Sequence, residues 1–290
     1  MYSTLFSELK KISNLSKLDQ FNLLEIAHYV EDNLVLDKND SLQYYTNTEY
    51  RDCINKLVKD NYLKLHINLS GRDNITDVSA LGNAYTLNLS GCQGIKDVSA
   101  LRNVHTLYLV GCKNIKDVST LGNVHTLNLL STKITDVSAL GNVHILNLSN
   151  TRITDISALG NVHILNLSET RITDVSTLGN VHTLDLSGCY GITDVSALGN
   201  VHTLNLSWCY GVTDVSALGN VHTLDISYCN NITDVNALGN VYDLDLSWCC
   251  GVTDVSALKS VHTLKLCGCE GIIDMSVLFK SVHTLILFKW

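Results

Sequence analysis

VHTLDLSGCYGITDVSALGN, residues 181–200, decides the fold because the chain goes on repeating it. Residues 201–220 read VHTLNLSWCYGVTDVSALGN, and residues 221–240 read VHTLDISYCNNITDVNALGN. The stretch holds a His, a Cys and two Asp, the side chains of metal and hydrolytic centres. A catalytic centre is needed once, whereas here every segment would have to be a separate enzyme.

With the Val of VHTL as position 1, units begin at Lys64, Ala84, Val104, Val124, Val143, Val162, Val181, Val201, Val221, Val241 and Val261, with a truncated one at Val282. Most are 20 residues long; those at Val124, Val143 and Val162 have 19, and the one at Val261 has 21. A fixed period of this length marks a solenoid. Apolar residues recur as Val181, Leu184, Leu186, Ile192, Val195 and Leu198. HTLDL alternates as a strand does, which places Leu184 and Leu186 inward and Thr183, Asp185 and Ser187 outward. DVSALGN then offers an Asp to cap a short turn of helix and a Gly for positive φ where the chain reverses. Twenty residues leave no room for a full crossover helix, so the convex side is expected to be 3₁₀ or extended turns.

LDLSGCYGITDVSAL resembles the L-x-L-x-x-N/C-x-L core of leucine-rich repeats. Its ITDVSAL half is similar to the bacterial internalin-type repeat, with Ala, Thr or Val where that type often has Pro and a unit two or three residues shorter. The resemblance covers residues 64–290 and implies an α/β leucine-rich repeat solenoid with a parallel sheet on the concave face. In that family position 9 donates to backbone carbonyls of neighbouring coils. The near-identical copies also resemble arrays of large DNA viruses of amoebae, which would put the protein in host cytoplasm.

The 290 residues are 46% hydrophobic and carry a net charge of -8, with ten Cys and no Pro. Acidity argues against nucleic acid as a partner. No apolar run reaches the ~18 residues that span a bilayer, and MYSTLFSELKKISNLSK lacks the features of a signal peptide. A soluble, cytoplasmic protein with reduced thiols, no membrane partner and no cofactor is expected.

Stacked coils turn every recurrent residue into a column with ~4.8 Å spacing. Position 9 holds seven of the ten Cys, with Thr132, Thr151 and Thr170 between them; Cys53, Cys250 and Cys267 lie outside. An Asp column runs from Asp77 to Asp274, one per unit. Turn capping explains it, and calcium, which needs six or more oxygen ligands, is the poorer alternative. A His column runs from His105 to His283, interrupted by Tyr242. It reads as neutral stacked rings, or alternatively as zinc or copper bridged between neighbours, or as a response to pH below ~6.

Function grafted on a repeat is sought where units break their own rule. At position 8, Gly, Ser, Asn or Glu gives way to Trp208, Tyr228 and Trp248. Asp185, Asp225, Asp243 and Asp245 lie on or beside the same strands, with Tyr242 at a strand start and Tyr190 and Tyr210 in the turns. These ten residues form the candidate partner-binding patch on the concave face and its edge; mutual stacking of the aromatics is the plainer reading. A second break is a basic edge, Lys113, Lys133, Arg152 and Arg171, suited to an acidic surface, an anion or simply solvent.

Residues 1–63 have another composition. LSKLDQFNLLEIAHYVEDNL, residues 15–34, shows helical spacing, and Tyr50, Ile54, Leu57 and Val58 share a face of a later helix. A helical N-terminal cap is expected. The stretch also resembles an F-box in Leu23, Leu24, Ile26, Tyr29, Val30, Leu42 and EYRDCI, which implies a substrate adaptor of a cullin ubiquitin ligase. At the other end, SVHTLILFKW stops at a strand, so either a homodimer through Leu285–Phe288 or cover by the last residues is expected. The leading reading is a non-enzymatic scaffold that binds an unidentified protein.

Overall fold

In a computed structural model the described residues are 27–30 and 32–287. Strands β1 (Ala27–Val30) and β2 (Asn33–Leu36) come first, then helices α1 (Lys38–Thr46) and α2 (Thr48–Asn61), then β3 (Lys64–Asn68). Eleven three-residue strands follow, from β4 (Thr86–Asn88) to β14 (Thr284–Ile286), one in each later coil. All fourteen lie in one sheet in chain order. β1 pairs antiparallel with β2, and every later pair is parallel. The solenoid expected from the repeat is the fold observed.

Register follows the repeat, so that Leu184 faces Leu204 and Leu204 faces Leu224. Backbone bonds continue past the short strands: Leu186 N–H donates to Asn205 C=O at 2.8 Å and Gly188 N–H to Ser207 C=O at 2.8 Å. In the coil of residues 181–200 the apolar set Val181, Leu184, Leu186, Cys189, Ile192, Val195 and Leu198 is at most 2% exposed. Each such side chain contributes about 1.5–3 kcal/mol of transfer free energy. Among the described residues the convex side has ten 3₁₀ helices of three to five residues, such as Ser196–Leu198, as the short unit requires.

The Asp column precedes these turns and caps the backbone at their start in nine of the coils. Asp77 Oδ1 accepts from Ser79 N–H at 2.9 Å, Asp155 from Ser157 at 2.9 Å and Asp274 from Ser276 at 2.8 Å. All eleven Asp make this bond, which satisfies a backbone donor otherwise left to solvent. The Gly of the same segment has a different reason from the one expected. Gly199 has φ -62°, and a Cβ there would lie 2.4 Å from Ala217 O of the next coil. Close approach of neighbouring turns, and not positive φ, selects it, although Arg102 and Lys259 stand at the same position in two coils.

The N-terminal segment corrects the helical reading of residues 15–34. From Ala27 on it forms strands, because Leu34 and Leu36 are buried with period two while β2 adds its backbone to the edge of β3. Tyr29 and Val30 are therefore in a strand, which departs from the helical module the F-box resemblance implies. Leu23, Leu24 and Ile26 lie outside the described residues. α2 does bury Tyr50, Ile54 and Leu57 on one face, as the spacing predicts. Asp37 caps α1 by accepting from Asn39 and Asp40 N–H, and Asn47 caps α2 through Tyr50 N–H. At the last coil Val282, Leu285 and Leu287 pack on the core but stay partly exposed; Phe288 is outside the described residues.

The Asp caps have a pH signature. Accepting the backbone bond from Ser157, then that from the Ser157 side chain, holds the Asp155 carboxyl below its ordinary 3.8. A depressed carboxyl stabilises the fold above the unfolded value and loses that contribution as pH falls through the folded one. Asp155→Asn keeps an acceptor and loses the titration. Combined with the same change at Asp136 and Asp174, it is expected to leave the neutral melting temperature nearly unchanged and to flatten its fall below about pH 4. Thermal melts from pH 2 to 7 check this.

Candidate functional site

Most of the residues with chemical potential are consumed by the coil itself. Cys92 Sγ donates to Leu69 C=O at 3.2 Å, Cys209 to Leu186 at 3.2 Å and Cys249 to Ile226 at 3.1 Å, each reaching the preceding coil. Burial raises Cys112 to about 11 and Cys229 to about 12, so these thiols are donors and not thiolate ligands. The Thr members behave differently from the expectation. Thr132, Thr151 and Thr170 donate to Leu129, Leu148 and Leu167 of their own coils at 2.8, 2.6 and 2.6 Å. The shorter C–O bond favours the nearer carbonyl. All three occupy the 19-residue units, where one turn residue is missing, so the change at position 9 and the change in length go together.

The His column is a continuous stack of eleven rings from Tyr85 to His283, with Tyr242 filling its gap. His182 and His202 have centroids 4.7 Å apart at 10°, and Tyr242 and His262 are 4.3 Å apart at 9°. Where Thr follows, its hydroxyl meets the ring, as with His182 Nδ1 and Thr183 Oγ1 at 3.2 Å. Parallel rings hold like nitrogens about one ring spacing apart, more than the ~4.2 Å that two Zn–N bonds span. A bridged metal would therefore have to break the stack. Burial first, then His125, holds His105 below its ordinary 6.5.

Position 8 has positive φ in each of the eleven full units, from Gly71 at 74° to Gly268 at 71°. Trp208, Tyr228 and Trp248 accept it at 65°, 62° and 63°, a conformation L-residues rarely adopt. Gly and Asn elsewhere in this column were the signal in the sequence. The backbone here aims the three rings into one stack: Trp208 and Tyr228 are 4.0 Å apart at 12°, Tyr228 and Trp248 5.8 Å at 11°. Tyr210 meets Trp208 edge-on at 6.1 Å and stacks on Tyr190 at 5.6 Å. Trp208 remains 42% exposed and Tyr190 61%. The stacking expected as the plainer reading is present, and the stacked row still meets solvent.

The acids of the candidate patch fall on two other rows. Asp185, Asp225 and Asp245 accept from Ser187, Ser227 and Ser247 N–H at 2.9 Å each, closing the strand as Asn205 does in its coil. They keep the cap and add charge. Asp243 replaces Thr two residues earlier on β12 (Asp243–Asp245). A concavity of about 330 Å³ is lined by Thr223, Leu224, Asp225, Asp243, Leu244, Asp245, Thr263 and Lys265. Lys265 Nζ pairs with Asp245 Oδ2 at 3.0 Å; sequence reasoning left Lys265 out of the patch. Burial first, and Asp245 among the lesser causes, raises Asp225. Tyr242 belongs to the His stack at the opposite ends of the strands, about 20 Å of extended chain from position 8. Lys113, Lys133, Arg152 and Arg171 are exposed in the turns, one per coil, as expected.

Trp248 lies over the backbone of Gly268, where a Cβ would come 2.6 Å from its indole. Gly111 has φ 68° and open space around it. Gly111→Ala is expected to cost about 1 kcal/mol from the backbone alone. Gly268→Ala should cost at least about 1 kcal/mol more and shift the Trp fluorescence as the stack is displaced. Urea unfolding followed by fluorescence checks both.

No family model matches the chain, and neither does any curated protein. Among solved structures it is similar to an internalin (inlF) of Listeria monocytogenes, with a TM-score of 0.52 and 20% identity over 86% of this chain and 92% of that one. The functional domain of InlJ from the same organism, described as including a cysteine ladder, matches at TM-score 0.44 and 22% identity over 70% of this chain and 54% of that one. Internalin C2 matches at 0.43 and 28%, over 64% and 79%. With the first of these, the parallel sheet, the one-residue-per-coil columns and the short convex turns, the fold is a leucine-rich repeat solenoid.

Proposed function

We propose that the chain is a non-enzymatic scaffold, free of cofactors, that binds another protein on the concave face of its C-terminal coils. The observation that carries this reading is the acidic concavity at β11 (Thr223–Asp225), β12 and β13 (Thr263–Lys265). There Asp243 breaks a Thr column, and Asp225 and Asp245 charge a column that is Asn in most coils. Capping is achieved equally well by Asn, so the capping role does not explain the charge. Lys265 offsets Asp245 and leaves Asp225 and Asp243 to meet a cation. A Lys or Arg side chain of a partner would enter this space, and the stacked Trp208, Tyr228 and Trp248 would supply apolar contact beside it. The spent columns support a non-catalytic role, since the Asp of every full coil and the column His and Cys where they occur are engaged with neighbouring groups of the solenoid. No helix among the described residues is long and apolar enough to cross a membrane. Thiols used as core donors suit a reducing compartment such as cytoplasm.

The test uses the full chain and a phage-displayed peptide library. Selected peptides are expected to be rich in Lys or Arg with an apolar neighbour. They should lose about tenfold or more in affinity on Asp225→Asn/Asp243→Asn/Asp245→Asn, which retains the caps. Equal binding to the variant would place the partner elsewhere.

A further inference from the structure

The basic edge is a second surface with its own chemistry. Lys113, Lys133, Arg152 and Arg171 occupy position 10 of four consecutive coils, are exposed, and make no ion pair among the described residues. The ring column gives the coil steps over this stretch as 4.5, 4.8 and 4.7 Å. Three such steps along the axis separate the coil of Lys113 from that of Arg171, a span on the order of 14 Å, which an extended peptide covers with four or five residues at about 3.3 Å each. Beside the row, position 8 is small in the first three of these coils, where Asn150 Nδ2 donates to Ser131 Oγ at 3.0 Å and the strip is left open.

The row is bounded. Asp73 holds the same position two coils before Lys113, and Glu169 stands at position 8 in the coil of Arg171. On a chain of net charge -8, these acids disfavour a long polyanion such as nucleic acid or a sulfated glycan and leave a short anionic stretch as the ligand that fits. Beyond Arg171 the same column becomes Tyr190 and Tyr210, stacked at 5.6 Å and exposed at their edges. We infer that this edge binds an acidic peptide segment, its carboxylates along the four cations and an apolar residue against Tyr190 and Tyr210. The surface is distinct from the acidic concavity and takes a partner segment of opposite charge.

Fluorescence anisotropy with the full chain tests this, using a labelled peptide of alternating Asp and Gly followed by Phe-Leu. Saturable binding is expected that weakens with added salt. Lys113→Gln/Lys133→Gln/Arg152→Gln/Arg171→Gln should weaken it about tenfold or more. Lys96→Gln/Lys259→Gln and the concave-face Asp→Asn triple should each stay within about twofold of the wild type. Lys113→Arg/Lys133→Arg should retain binding, and an unchanged melting temperature of the Gln variant would show that fold is not the cause of its loss. No saturable binding, an unaffected Gln variant, or tighter binding of a heparin fragment or a single-stranded oligonucleotide would overturn the inference.

Discussion

Parallel backbone pairing in fixed register between successive coils is the interaction on which the rest of the molecule depends. Thr203 faces Thr183 and Thr223, Leu204 faces Leu184 and Leu224, and the bonds run on from Leu186 N–H to Asn205 C=O. A slip of one residue would turn each inward Leu to solvent. Because the register is fixed, each of the repeated side chains meets its own kind, and the sequence must choose types that tolerate this. Imidazoles stack, thiols donate hydrogen bonds to the neighbouring coil, and carboxylates are kept apart on the convex surface, each with its own Ser or Asn N–H.

Column chemistry explains why side chains typical of catalytic centres recur in the sequence and are engaged within the coils of the structure. The His stack, the Cys donors and the Asp caps each satisfy a local need that recurs in the coils. The columns are broken at a few places: Asp243 among Thr, Trp208 and its neighbours among Gly, cations among turn residues. These departures divide along the axis. Residues 64–180 hold nine Lys or Arg and eight Asp or Glu, whereas residues 181–290 hold four and ten. The division separates a basic edge from an acidic concave face.

Much of this was legible because period and polarity are properties of the residues themselves. The inward set, the unit boundaries, the parallel sheet and the short convex turns all follow from where Leu, Val and Ile recur in 20 residues. What was missed depends on distances between coils. Gly199 could be read as a φ > 0 residue until the nearness of Ala217 O was known, and the true left-handed site is position 8, where Trp208 shows that Gly is not obligatory. Residues 27–30 and 33–36 have apolar spacing that suits a helix in isolation, yet an unpaired edge at β3 draws them into strands. Tyr242 and Trp248 are six residues apart in sequence but lie on separate rows, since a strand separates positions 2 and 8.

If register between coils is the governing constraint, removing one whole coil must be far less harmful than removing half of one. The decisive measurement is thermal unfolding, followed by far-UV circular dichroism, of chains lacking residues 201–220 or residues 201–210. The first deletion joins Asn200 to Val221 and restores the GN-VHTL junction, so a native-like spectrum and a single cooperative transition are expected. The second leaves half a coil without its strand and should lose both. Equal behaviour of the two deletions, whether both folded or both unfolded, would contradict the dependence of the structure on coil register.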